Sequence, residues 1–218
     1  MSIKNRFTAQ DLDRIKAAVK QAEEKISGEI VPVFVERSDA YVIANYIGAL
    51  IMAALVFVVI IILDRYAPTE LAVYDPIFIF VFVCAGGLLG VILASVFSPF
   101  KRLLLGQSHL DAATRRRAEN AFLEEEVFNT RHRTGIMIFI SFFEREVIVM
   151  ADRGISKVVD QKEWDALVRN IIDNVRKDKV TDGIVSAILR CGEILLEKGF
   201  LITPDDINEL RDDLRMED

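Results

Sequence analysis

Cysteine and histidine are nearly absent from this 218-residue chain, which has only Cys84, Cys191, His109 and His132. Two cysteines, one in an apolar run and one late in the charged part, cannot build a disulfide framework, so a reducing compartment suits the chain. So few histidines, with no cysteine pair at ligand spacing, exclude a His- or Cys-based zinc site. Neither GxGxxG nor GxxxxGK[ST] occurs, so no phosphate-cradling glycine loop is expected. A formal net charge of −6 and the lack of a basic patch with interleaved aromatics argue against nucleic acid.

What the chain does have is length without charge. The mean hydropathy is +0.29 although 28% of residues are charged, so the apolar residues must be concentrated. Val42 to Leu63 (VIANYIGALIMAALVFVVIIIL) and Ile77 to Phe97 (IFIFVFVCAGGLLGVILASVF) carry no charge in 22 and 21 residues. As helices, each would reach roughly 30 Å, the thickness of a bilayer's hydrocarbon core. Buried helices of a soluble core are the alternative, but two such runs in one short chain favour a transmembrane hairpin. The first run begins about 40 residues in, behind a charged amphipathic segment, which is not a signal-peptide pattern.

The connecting loop, Asp64 to Pro76, holds one basic residue, Arg65; on the other side stand Arg37, Lys101, Arg102 and Arg115 to Arg117. Basic residues near span ends stay cytoplasmic, so both termini are expected there, in a bacterial-type inner membrane. Gly86 and Gly90 make a GxxxG pair, which lets helices approach closely. The pair is expected to pack against Gly48, Ala49, Ala53 and Ala54 of the first span, with homodimerisation as the second reading. Neither span carries Asp, Glu, Lys, Arg or His, so an ion path is not expected.

In the charged remainder, Thr8 and Asp11 form a capping-box pattern, with Phe7 placed to staple Leu12. Leu12, Ile15, Val19, Ala22 and Ile26 recur at helical spacing up to Gly28. Glu29 to Val35 (EIVPVFV) reads as a strand, and Pro32, which cannot donate to a ladder, predicts an edge or a bulge. After the second span, Ser108 and Asp111 predict a helix start, with Ala118, Ala121, Phe122 and Phe128 on its apolar face. Arg115 to Arg117 there read equally as a site for anionic headgroups or as a solvated face. Gly135 to Phe142 and Val147 to Ala151 are continuous apolar runs, expected as the central strands of a sheet. Asp160 and Glu163 predict a capped helix with Val159 stapled to Trp164, and a further helix begins near Thr181. Thr203-Pro204-Asp205-Asp206 predicts a short last helix, and Arg211 to Asp218 a fraying acidic tail.

The passage from Thr134 to Ile155, TGIMIFISFFEREVIVMADRGI, resembles the TPM domain family: a strand from a glycine, a charged turn, a second strand and an acidic turn with glycine. SGEIVPVFVE (Ser27 to Glu36) is similar to that family's first strand, and DGIVSAILRCGEIL to its ending. The resemblance implies an α/β fold, an α/β/α sandwich around a small mixed sheet, here interrupted by a two-helix transmembrane hairpin placed directly after the first strand. Residues 1–40 and 106–202 would form the split domain, 41–100 the hairpin with spans 42–63 and 77–97, and 203–218 the short helix and tail. Members of the family are described as acid phosphatases, divalent-cation binders or accessory factors of membrane complexes.

The residues themselves show no catalytic constellation. Cys191 has Glu197, not arginine, six residues on and reads as a core thiol. Asp11 and Asp13 read as a solvated helix start, and His109 and His132 as surface residues. Asp152, just after a strand, with Asp160 and Asp182, could converge as oxygen ligands for calcium or magnesium; turn and capping roles are the competing reading. The expected function is a cytoplasmic TPM-like domain, tethered to the bilayer, that binds, assembles or maintains membrane complexes, with tuning by a divalent cation, calcium or magnesium, left open. Other membrane proteins or a second copy are its expected partners. A membrane-tethered acid phosphatase is the alternative.

Overall fold

In the computed structural model, residues 6–66, 75–177, 179–202, 209–211 and 213–217 are described. Among these residues four strands make one mixed sheet in the order β3-β2-β1-β4: β1 (Glu29–Val35), β2 (Gly135–Ser141), β3 (Glu146–Ala151) and β4 (Arg215–Glu217). β1 is parallel to β2 and to β4, while β3 is antiparallel to β2.

The chain separates into two compact units, Met1–Ser38 with Asp111–Asp218, and Asp39–Leu110. In the first unit the strands' period of two sends alternate side chains to opposite faces. Ile30, Phe34, Ile136, Ile138 and Ile140 meet helices α1 (Ala9–Glu23), α7 (Gln161–Val175) and α8 (Val180–Glu197). Val31, Val33, Val35, Met137 and Phe139 meet Ala118, Ala121 and Phe122 of α5 (Gln107–Glu124). The sheet is therefore covered on both faces, which is why β1 from Ile30 to Val35 and β2 from Gly135 to Ile140 carry no polar side chain and both strands are buried throughout. Each large side chain buried in this way contributes about 1.5–3 kcal/mol.

The Thr8–Asp11 capping box is complete in both directions, at 3.2 and 2.9 Å. Phe7 behind it packs on Phe34 with ring centroids 5.4 Å apart. Several other expectations are corrected. α1 ends at Glu23 rather than Gly28, because Ser27 instead donates its N–H to the Phe200 carbonyl. α5 starts at Gln107, so Ser108 lies inside it and caps nothing. Asp160 occupies the start of α7, but its side chain makes no capping bond. A short helix α6 (Arg153–Ser156) follows β3.

The sheet order brings three further corrections. β3 is an edge strand, half-buried along its length, not a central one. β1 is central, and Pro32 is tolerated there for a local reason. Ile30 donates its N–H away from β2, to Glu23, and Val35 accepts from Phe142 on the β2 side. Pro32 shares the orientation of Ile30, and β4 begins only opposite Val33, so the missing donor falls where no ladder bond exists. Within the tail expected to fray, Arg215–Glu217 form β4, held by Arg215, whose Nε donates to Glu125 at 2.8 Å and whose guanidinium also meets the Arg211 and Asp213 carbonyls. The helix expected at 203–206 lies outside the described residues.

The second unit contains α2 (Val42–Tyr66), α3 (Pro76–Val96) and α4 (Ser98–Leu104). α2 and α3 are long and apolar enough to cross a membrane, with mean hydropathies of 3.0 and 2.8 over their most apolar windows. They pack on each other through glycine. A Cβ at Gly86 would lie 2.6 Å from Val56 Cγ2, and one at Gly90 would overlap the Gly48 carbonyl. The GxxxG face is thus occupied within the chain.

Candidate functional site

Strand direction decides where a site can lie. In open α/β sheets, ligands gather at the carboxyl ends of the parallel strands. β3 runs antiparallel, so Asp152 at its end sits beside the amino ends of β1 and β2, its N–H donating to the Gly135 carbonyl at 2.9 Å. Asp152 is thereby placed at the opposite end from the usual ligand position.

The carboxyl ends carry a different cluster. Where the chain leaves β1, Ser38 donates its backbone N–H to Glu144 Oε1 at 2.8 Å, and its hydroxyl donates to Ser141 Oγ at 3.1 Å. Ser141, the last residue of β2, donates its hydroxyl to the other Glu144 oxygen. Glu144 sits in the turn between β2 and β3, where the next residue, Arg145, adopts a left-handed φ of 57°. Beside them Arg6 spans both oxygens of Glu36 at 3.0 Å, and Arg117 bridges Glu124 at 2.9 Å to Glu217 of β4.

A serine donating to a carboxylate resembles an activated nucleophile. Ser141 and Glu144 are only 0% and 1% exposed, however, so no substrate reaches them. Their role is to clamp the exit of β1 to the β2–β3 turn.

Glu146, the first residue of β3, is half-buried at this end. Its Oε2 is buried with no hydrogen-bond partner among the described residues. Burial pushes its carboxyl above the usual glutamate range; a Thr114 hydrogen bond opposes this, while the Asp111 and Glu144 carboxylates push it further up. Glu146 opens into a groove of about 430 Å³ lined also by Asp111, Arg115, Glu119, Ile148 and Met150.

The remaining sequence candidates are dispersed. Asp152 Oδ1 accepts from the Arg153 N–H at 2.6 Å, and Oδ2 lies 3.6 Å from Arg133. Asp182 pairs with Arg14 at 2.6 Å. Asp160 is exposed at the start of α7. Among the described residues no three His, Cys, Asp or Glu side chains are grouped to hold a metal, so Asp152, Asp160 and Asp182 are not brought together. His109 and His132 are exposed. Cys191 is fully buried, and burial pushes its thiol up to about 12, so it is an inert core residue. Arg115 and Arg117 are engaged by Glu119 and by Glu124 and Glu217.

Sequence reading passed over Ser38, Ser141, Glu144 and Glu146. The one local signal was the charged turn Phe143-Glu144-Arg145-Glu146 between two apolar strands, where a glutamate that becomes 1% exposed looks no different from a solvated one.

Residues 106–194 match the family model of the TPM domain. The NMR structure of the BA42 protein from the psychrophilic bacterium Bizionia argentinensis is similar in fold, with a TM-score of 0.58 and 18% identity over 96% of this chain and 94% of that one. No curated protein matches the sequence.

Proposed function

We propose that the chain is anchored in a bacterial-type inner membrane and that its TPM-like domain works in the cytoplasm, binding, assembling or maintaining membrane complexes. The observation that carries this reading is the outward-facing apolar surface of α2 and α3. Leu50, Phe80 and Leu88 are 73%, 69% and 66% exposed on helices of 25 and 21 residues. Apolar surface left in water costs about 25 cal/mol per Å², a penalty that lipid removes. The basic residues flanking the pair, Arg37, Lys101 and Arg102 against Arg65 in the last turn of α2, favour both termini on the cytoplasmic side.

The test is affinity capture of the full chain from detergent-solubilised membranes, with partners expected to be membrane proteins or further copies of this chain. The competing reading, a tethered phosphatase, is checked on the same purified chain with p-nitrophenyl phosphate. Turnover that disappears in a folded Asp152→Asn variant would overturn the binding role. For orientation, a cysteine at Ala67 should react with a membrane-impermeant reagent in intact cells and one at Lys162 should not; the reverse pattern would invert the topology.

A further inference from the structure

We infer that the open edge of β3, with the groove beside it, receives an extended basic segment of a partner protein as an added strand. β3 ends the sheet on one side, and its register with β2 fixes which backbone groups are spent. Asp152 donates to Gly135, so in an antiparallel ladder residues 150, 148 and 146 also bond β2, while Val147, Val149 and Ala151 turn their N–H and C=O groups outward. Nothing among the described residues bonds to these outward groups. An apolar edge of this kind, without proline or a bulge, is a template for strand addition.

The groove specifies the partner. An added strand places every second side chain on the face of β3 that carries Glu146, Ile148 and Met150. Ile148 and Met150 offer an apolar floor. Around Glu146, the carboxylates of Asp111 and Glu119 lie in the same groove with one base, Arg115, whose Nε is 3.0 Å from Glu119. Three acids against one base leave the groove negative, and the half-buried carboxylate of Glu146 at its head is the group that a Lys or Arg side chain of the added strand would face. Burial also holds the Glu146 carboxyl above its ordinary range, so a cation there relieves a cost already present.

A second copy is disfavoured as the occupant. The chain carries a net charge of −6, and antiparallel pairing of two β3 edges about a two-fold axis would set both acidic grooves on one face of the joined sheet.

This site deepens the binding reading and rests on it, but the two can fail separately: phosphoester turnover counts against the binding role, and the following measurement against the docking edge. The full chain in detergent is titrated at pH 7 with a fluorescent heptapeptide, Lys-Thr-Val-Thr-Val-Thr-Lys, whose alternate positions read the same in either direction. The control replaces both lysines with glutamate. The lysine peptide should bind at least tenfold tighter and slow hydrogen exchange at Val147, Val149 and Ala151. Glu146→Gln should weaken binding about fivefold. Val149→Pro removes an outward N–H without touching the β2 ladder, as Pro32 does in β1, and should weaken binding at least tenfold. If that variant loses its native circular dichroism, the Glu146→Gln titration and the exchange pattern decide. Equal binding of the two peptides, or binding without protection of the alternate amides, would overturn the inference. Concentration-dependent protection without any peptide would do the same in favour of a dimer.

Discussion

The clamp at the carboxyl end of the sheet can be tested by removing one carboxylate. Glu144 accepts at least two hydrogen bonds, from the Ser38 N–H at 2.8 Å and from the Ser141 hydroxyl, at 1% exposure. Glu144→Ala strips the acceptor from both donors, and hydrogen bonds to charged groups are each worth about 1.5–3 kcal/mol, so the loss should be about 3–6 kcal/mol. Glu144→Gln keeps an amide oxygen for Ser38 and should cost about 1–2 kcal/mol. The chain has a single tryptophan, Trp164, which is 6% exposed in the core of the sheet unit, so its fluorescence reports on that unit even when α2 and α3 stay in a micelle. With a urea dependence of about 2 kcal/mol per molar, the alanine variant should unfold about 2 M earlier and the glutamine variant less than about 1 M earlier. Equal shifts, or an alanine shift below about 0.3 M, would refute the assignment of Glu144 as the clamp.

Three further outcomes are expected. Cys191, with its thiol pushed up to about 12, should resist a disulfide reagent at pH 8 in the folded chain and react once urea exposes it, as read by absorbance in a Cys84→Ser background. Glu146 has its folded pKa raised above 4.5, so its contribution to stability is full below about pH 4.5 and is lost as pH rises through the folded value. Glu146→Gln should therefore melt higher than the parent at pH 7, with the gap closing toward pH 4. A Cβ on Gly87 would lie 3.8 Å from the Ala53 Cβ, the spacing of a disulfide, so Ala53→Cys with Gly87→Cys in the Cys84→Ser chain should oxidise to a cross-linked monomer on non-reducing gels. Dimers in its place would show that the two spans pair between chains.

Helices and strands were largely legible because their periodicities survive any tertiary arrangement. Ile15 and Val19 mark the buried face of α1, as Trp164, Leu167 and Ile171 mark that of α7, and the doubly apolar β2 announced a strand covered on both sides. The candidate site was not legible. Asp152 drew attention as a carboxylate at a strand end, but whether that end is the right one depends on the strand's direction in the sheet, which no local pattern encodes. Ser38 and Glu144 lie 106 residues apart, so neither carries a mark of the other. The tail from Arg211 misled in the same way: its charges suggest solvent, yet Arg215 is 9% exposed because Glu125 and two carbonyls receive its guanidinium.

By itself, then, the sequence determined the two uncharged runs, the amphipathic helices with the cap of the first, the apolar strands and the likeness to TPM domains. All of these are properties of composition and spacing along the chain. Only the tertiary structure decided that β3 ends the sheet while β1 lies within it, and that residues 215–217 return as β4. It also decided that the polar groups meeting at the carboxyl ends are Ser38, Ser141, Glu144 and Glu146. The reason is that pairing partners, strand direction and burial are set by contacts between distant segments. A carboxylate's environment, and so its chemistry, exists only once those segments have met.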